Sequence, residues 1–273
     1  MNEYIKKIVK EAINEDIPRI DISSEYLFSN EVSEGKFIAK EDGVISGIEV
    51  CEEVFKQIDE DTDFITLKKD GDFVKKGEII AEVKGLTKSI LKSERVGLNF
   101  LQRMSGVATM TRAFVEEIKG TNAKILDTRK TTPLLRRLEK KAVVDGGGVN
   151  HRMNLSEMVM LKDNHLKAAE SIKAACDKVR NAVGKSFKIE VEVETIEQFK
   201  EALKADCDII MLDNMTNEMM KACVELNNTR KTIEASGNMN LERVKSVSET
   251  GVDWISVGSL THSYRSLDIS LKF

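Results

Sequence analysis

Lys124 to His165 reads KILDTRKTTPLLRRLEKKAVVDGGGVNHRMNLSEMVMLKDNH, and within it two short apolar runs each discharge into polar residues. Ile125-Leu126 leads into Asp127-Thr128-Arg129-Lys130, and Met158-Val159-Met160-Leu161 leads into Lys162-Asp163-Asn164-His165. Both runs are short and β-prone, so they predict two strands that deliver polar groups at their C-terminal ends. Between them lie Gly146-Gly147-Gly148, which permit close backbone approach, followed by Asn150-His151-Arg152. From 124 to 152 there are eight Lys or Arg against three Asp or Glu, in a chain of net charge -4. That local excess of positive charge points to an anionic ligand.

Downstream the pattern repeats. Apolar β-prone runs at Lys188 to Val193, Ile209 to Leu212, Lys231 to Ile233 and Trp254 to Val257 alternate with helical stretches such as Ser171 to Val183, Ile196 to Leu203 and Leu241 to Glu249. Strands alternating with helices of this length predict parallel βαβ units, and about six of them suit a closed or nearly closed α/β barrel. The runs end at Arg129 and Lys130, Lys162, Glu192, Asp213, Ser236-Gly237 and Gly258. In such barrels the site lies where the strands' C-terminal ends converge, so all six runs address one place.

Upstream the texture differs. Ile5, Ile8, Val9, Ala12 and Ile13 recur at helical spacing and predict an amphipathic helix over 3–15. Lys36 to Val83 reads as a small β-rich module with runs at Lys36 to Lys40, Val44 to Ser46, Phe64 to Leu67 and Glu78 to Val83. Its Gly71 to Glu78 segment resembles the turn-and-strand pattern of biotinyl and lipoyl carriers in topology alone, because no modifiable lysine sits at a hairpin tip. Helical periodicity starts at Ser89, breaks at Ser105-Gly106, resumes and ends at Gly120.

Composition narrows the function. A weakly acidic chain does not carry the broad basic face that nucleic acid or an anionic membrane requires, so the basic cluster serves a small ligand. Cys51, Cys176, Cys207 and Cys223 are widely spaced, which predicts buried thiols and neither a metal centre nor a disulfide framework. Met1 to Asp16 lacks the apolar block of a signal peptide and no run is long enough to span a membrane, so the expected location is cytoplasmic.

The candidate site residues sort by charge. Arg129, His151, Arg152 and Lys162 form a cationic half suited to carboxylates, which the planar arginine fork can bind through two parallel hydrogen bonds. Glu192 and Asp213, ending consecutive strands, form an anionic half suited to ribose hydroxyls and a hydrated divalent ion. Ser236-Gly237-Asn238 and Val257-Gly258-Ser259 lie near helix starts, where backbone N–H groups cradle phosphate in these barrels.

A series of motifs in order along nearly the whole chain then resembles one family. They are Glu94-Arg95-x-x-Leu98-Asn99, Ser105-Gly106-Val107-Ala108-Thr109, Asp127-Thr128-Arg129-Lys130-Thr131-Thr132-Pro133, Gly146-Gly147-Gly148-x-Asn150-His151-Arg152, Lys162-Asp163-Asn164-His165, Glu190-Val191-Glu192-Val193, Met211-Leu212-Asp213-Asn214 and Val257-Gly258-x-Leu260-Thr261-His262. Together they resemble quinolinate phosphoribosyltransferase, the carboxylating nicotinate-nucleotide pyrophosphorylase. The resemblance implies a type II phosphoribosyltransferase fold: an N-terminal α/β sandwich with its linking helix over 1–105, then an incomplete TIM-like α/β barrel over 106–273, with the last residues free to return to the first domain. It implies Mg²⁺, and a homodimer in which Arg95 enters the partner's site, leaving a further hexamer open.

The implied reaction joins quinolinate and phosphoribosyl pyrophosphate to give nicotinate mononucleotide, pyrophosphate and CO₂. The resemblance assigns Arg129, His151, Arg152, Lys162 and Arg95 to the dicarboxylate. It assigns Lys130, Glu192, Asp213, the 236–238 loop and Gly258 to phosphoribosyl pyrophosphate, with Thr128, Val257, Ser259 and His262 at the same rim. Because a pyridinium ring can itself take up the electron pair left by decarboxylation, a positioning site is expected in place of a strong general base. Leu134, Asn154 and Asn238 stand where the family carries glycine. The rival readings are a non-synthetic accessory paralogue of the molybdenum-transport-associated type and a nicotinate phosphoribosyltransferase. Intact Lys162-Asp163-Asn164-His165 and Asn150-His151-Arg152 argue against the first, and surplus cations for a second carboxylate argue against the other.

Overall fold

A computed structural model describes residues 2–273. The chain starts with α1 (Glu3–Asp16), α2 (Ile22–Leu27), β1 (Val32–Ala39), β2 (Gly43–Val44), α3 (Ile48–Ile58), β3 (Asp63–Thr66), β4 (Phe73–Val74), β5 (Ile79–Leu86) and α4 (Thr87–Glu117). It continues through β6 (Lys124–Leu126), α5 (Arg136–Asp145), β7 (Val159–Leu161), α6 (Asp163–Lys167), α7 (Ile172–Val183), β8 (Ile189–Val193) and α8 (Ile196–Leu203). The remainder is β9 (Ile209–Asp213), α9 (Asn217–Leu226), β10 (Thr232–Ser236), α10 (Leu241–Ser248), β11 (Trp254–Ser256), α11 (Ser259–His262) and β12 (Ile269–Lys272). Among the described residues no helix is long and apolar enough to cross a membrane.

Two compact units emerge, and neither is one continuous segment: 1–112, 133–147 and 264–273 form the first, and 113–132 with 148–263 the second. The first unit is built on the antiparallel sheet β12-β1-β5-β3. Its core gathers Phe37, Ile80 and Val83 from the sheet, Cys51 and Phe55 from α3, and Ile90, Leu98 and Leu101 from α4. Phe37, Phe55 and Phe64 pack as a trio with ring centroids 5.5–5.8 Å apart. Helix α3 sits inside the module that the glycine-punctuated texture presents as β-rich; its apolar face is Ile48, Val50, Cys51, Val54 and Phe55. In the segment likened to carrier folds, β4 pairs with the two-residue β2, and Lys75 is engaged by Asp42.

The helix break expected at Ser105-Gly106 is absent. Helix α4 runs unbroken for 31 residues. Glycine is there for a different reason: a Cβ on Gly106 would lie 2.3 Å from the Arg265 carbonyl oxygen, so its absence lets the returning C-terminal segment pack on the helix. Local propensity cannot distinguish a glycine that ends a helix from one that admits a neighbour.

The second unit is a six-stranded, all-parallel sheet in the order β6-β11-β10-β9-β8-β7. That is the cyclic order of a barrel left open between β6 and β7, where a single parallel bridge from Leu126 to Val149 extends the edge. Ile189, Val191, Ile210, Leu212, Ile233, Ala235 and Ile255 are buried, as expected of parallel strands covered on both faces. The helices that follow the strands start on side-chain caps: Ser171 accepts from the Ala174 N–H, Thr195 from Gln198, Thr216 from Met219 and Asn240 from Arg243. The Thr195, Thr216 and Asn240 caps end their loops within a few residues of β8, β9 and β10, whereas α6 stands between β7 and Ser171. All four cysteines are free and buried.

Gly106→Ala separates propensity from packing. Propensity alone would stabilise the helix by about 1 kcal/mol. The Arg265 backbone contact reverses the sign, and urea denaturation should show a loss of roughly 1–3 kcal/mol.

Candidate active site

The strand ends of the second unit surround a cavity of about 770 Å³. Alternation within each strand decides what reaches it. On β8, Glu190 and Glu192 share a face; on β9, Met211 and Asp213; on β10, Glu234 and Ser236. Register aligns Glu192 with Met211 and Met211 with Glu234, while Asp213 lies beside Ser236. Thr128, Arg129 and Lys130 arrive after β6, His151 and Arg152 after the glycine run, and Lys162 after β7, all lining the same cavity. Gly258, Ser259 and His262 close the rim after β11, and Met160, Met211 and Met239 give the cavity apolar wall.

Val257 stands elsewhere than expected, and Arg95, expected to enter a partner's site, does not line this cavity. Arg95 is exposed on α4 in the first unit. Val257 is buried, and its N–H donates to the Leu126 carbonyl at 2.9 Å, joining two strands.

The two charged halves meet in one ion pair. Lys162 Nζ donates to Glu192 Oε2 at 2.9 Å, with Glu192 largely shielded and Lys162 half exposed. On the cationic side, burial and then the Arg129 charge push the Arg152 guanidinium down from its usual range. Like charges held together in this way favour an anion between them. Arg152 is fixed by donating from Nη1 to the Met158 carbonyl at 2.8 Å and from Nη2 to Met160 Sδ at 3.5 Å.

The loops around Gly237 and Asp213 are pinned from behind. Arg243 donates to the Gly237 carbonyl at 2.9 Å and to the Met215 carbonyl at 2.8 Å. Asn214 donates from Nδ2 to Asp213 Oδ2 at 2.7 Å, and Asn238 donates to Asn214 Oδ1 at 3.2 Å. Asn214 and Asn238 adopt the left-handed region, φ 53 and 50, which asparagine tolerates better than most residues. Leu134 retains φ 67 without glycine's freedom and is 77% exposed, its carbonyl accepting the Tyr4 hydroxyl. Asn154 instead makes a local turn, accepting the Ser156 N–H at 2.8 Å. A Cβ on Gly258 would press on Lys130 and His262 at 3.1 and 3.2 Å, so this glycine lets both side chains reach the rim. Thr261 Oγ1 donates to the Lys130 carbonyl at 2.8 Å, and the buried Ser259 hydroxyl has no hydrogen-bond partner among the described residues.

Beneath this layer lies a buried polar cluster. Glu190 and Glu234 are 0% exposed, and His151 Nε2 sits 3.1 Å from Glu190 Oε2 and 3.3 Å from Glu234 Oε2. Burial works against a charged ring, while the two carboxylates act the other way, drawing a proton to Nε2 and shifting His151 upward. Burial, with the Glu234 charge adding to it, pushes Glu190 up to about 7. The Arg152 backbone N–H donates to His151 Nδ1 at 2.7 Å, which leaves the ring proton on Nε2, facing the carboxylates. The His151 N–H in turn donates to the buried Asp127 at 2.9 Å.

Glu190, Glu234, Asp127, Asn214 and Arg243 escape a reading that sorts strand-end charges one run at a time. The Glu-Val-Glu alternation did carry a signal, because Glu190 two residues before Glu192 must face the same interior.

Gly237→Ala tests whether the 236–238 loop binds phosphate, as the sequence motifs imply. Its Cβ would lie 2.2 Å from Asn214 Oδ1 at a backbone φ of 98, so the substitution displaces the Asn214 bridge to Asp213. Calorimetric affinity for inorganic pyrophosphate should fall at least about tenfold, with the fold intact by circular dichroism.

The chain matches the family description "Quinolinate phosphoribosyl transferase, C-terminal domain" over residues 107–272 and the corresponding N-terminal domain over 21–105. It is 45% identical over 267 residues to the probable carboxylating nicotinate-nucleotide pyrophosphorylase of Bacillus subtilis, covering 98% of this chain and 92% of that protein. It is 42% identical to the chloroplastic nicotinate-nucleotide pyrophosphorylase of Oryza sativa, covering 98% and 77%. Among solved structures, NadC from Streptococcus pyogenes superposes with a TM-score of 0.96 at 42% identity, covering 98% and 95% of the two chains. With a parallel barrel sheet, a cation-rich cavity at its strand ends and relatives of this kind over its full length, the chain belongs to the quinolinate phosphoribosyltransferase family.

Proposed function

We infer that the chain catalyses its family's reaction, transferring phosphoribosyl from phosphoribosyl pyrophosphate to quinolinate with loss of CO₂, in the de novo synthesis of NAD. One observation carries this reading: four cations, Arg129, Lys130, Arg152 and Lys162, share a single cavity with Glu192 and Asp213. Quinolinate brings two adjacent carboxylates on a flat ring, matching the paired arginines and the methionine wall. Surplus cations for the second carboxylate favour quinolinate over the monocarboxylate nicotinate.

In this proposal, the pyridine nitrogen forms a bond to the ribose anomeric carbon as the bond to pyrophosphate breaks. Positive charge develops on the ribose ring, and Glu192 and Asp213 stabilise it electrostatically. Lys130 neutralises the departing pyrophosphate. The carboxylate next to the ring nitrogen then leaves as CO₂, its electron pair remaining on the ring carbon beside the pyridinium until a proton replaces it. The residues therefore position and neutralise, and no strong base is required.

Glu192 and Asp213 fit a hydrated Mg²⁺. Each uses one oxygen on Lys162 or Asn214 and keeps the other without a hydrogen bond among the described residues. Bound there with the substrate's phosphates, the ion would supply positive charge for the leaving group. Arg95 enters this scheme from a second copy of the chain; the exposed Ile22, Tyr26 and Leu27 of α2 provide apolar surface for such an assembly, in a cytoplasmic homodimer.

Assays with quinolinate, phosphoribosyl pyrophosphate and Mg²⁺ should yield nicotinate mononucleotide and CO₂, and nicotinate in place of quinolinate should not turn over. Turnover with nicotinate alone would overturn the substrate. Arg129→Ala should reduce kcat/KM for quinolinate by about 10–100-fold, the worth of a charge-assisted pair. For the shared site, Arg95→Ala and Lys130→Ala chains, each nearly inactive, should recover about a quarter of wild-type activity when remixed as random two-fold dimers. No recovery on remixing would place Arg95 outside the partner's site.

A further inference from the structure

Beneath the cavity, where Glu234 reaches the lining and Glu190 lies behind it, are two carboxylates that the reaction scheme does not use. Glu190 on β8 and Glu234 on β10 flank β9, and both are fully buried. Neither oxygen of Glu190 accepts a well-formed hydrogen bond among the described residues, and Glu234 has only the Ser256 hydroxyl, which donates to Oε1 at 2.5 Å. Leaving buried carboxylates so sparsely satisfied is costly to the fold, and a barrel selected for stability alone would fill these positions with apolar or neutral groups.

What they face explains why they are there. His151 Nε2 lies between them at 3.1 and 3.3 Å. These separations would also suit the ligand shell of a small dication. A metal taken by Nε2 requires the proton on Nδ1, however, and Nδ1 is already the acceptor of the Arg152 backbone N–H at 2.7 Å. The cluster is therefore an electrostatic support for the ring, with a carboxylate oxygen on either side of Nε2. Through that Nδ1 contact the ring fixes the Arg152 backbone, and the Glu190 charge acts favourably on the Arg152 guanidinium, opposing the neighbouring Arg129.

We propose that Glu190 and Glu234 are positioning residues of the dicarboxylate site, which hold His151 in place and through it aim Arg152 at the substrate. This rests on the reading that Arg129 and Arg152 bind quinolinate. The two carboxylates trade stability for a pre-set arginine, and both sides of that trade are measurable.

The test is steady-state kinetics and thermal melting of Glu190→Gln and Glu234→Gln, with Arg152→Lys as control. Each Gln variant should raise KM for quinolinate at least about tenfold, leave KM for phosphoribosyl pyrophosphate within about twofold, and melt at or above the wild-type temperature. If Arg152→Lys leaves the quinolinate KM unchanged, the assignment of the dicarboxylate site itself fails. If Arg152→Lys raises it while both Gln variants match wild type, only the positioning role fails. Equal rises in both KM values, or lower melting temperatures with uniform loss of active protein, would make the carboxylates structural and overturn the proposal. Should Glu190→Gln not fold, Glu234→Gln, which can keep the Ser256 contact, carries the test; failure of both to fold would likewise overturn it.

Discussion

Parallel strands joined by right-handed crossovers cannot choose independently where their ends point: every C-terminal end leaves the sheet on the same side. The site depends on this constraint. Six short strands, three to five residues each, contribute little contact area individually. Their shared direction nevertheless brings groups from 128 to 262 in the sequence to one cavity. Side-chain caps at α8, α9 and α10 reinforce it by starting the helices close behind the strand ends, which keeps those loops short.

Within that frame, charge is balanced in layers. The rim pairs Lys162 with Glu192, so a ligand entering there competes with an existing contact. On the cationic wall, burial and then the Arg129 charge both work against the charged Arg152 guanidinium. Below them His151 rests between two buried glutamates. The Gly237 loop is shaped differently, through backbone: two left-handed asparagines, a glycine with no room for a Cβ, and Arg243 bound to two loop carbonyls.

Glycine shows where local reading stops. Gly71 and Gly77 adopt positive φ at turns, as their texture suggests. Gly106 looks like punctuation and instead lies within a continuous helix, vacating space for the backbone at Arg265. Nothing within ten residues of Gly106 encodes that neighbour. The same holds for α3, whose apolar face makes sense only beside the sheet that covers it.

The sequence by itself determined the alternation of strand and helix, the open barrel, the sign of each strand end and the family. Those properties are local or periodic: an apolar run closes into a strand, and the residue after it stands at the strand's end wherever the chain goes. It also named most of the cavity, because strand-end residues in a parallel sheet need no further coordinate to be placed together. Only the tertiary structure decided which charges touch. Glu190 and Glu234 lie 44 positions apart in the numbering and read as ordinary strand residues, yet they meet one imidazole ring because β8 and β10 flank β9. Contact between residues so distant in the chain depends on sheet order, register and twist, and none of these is written in the pattern of any single segment.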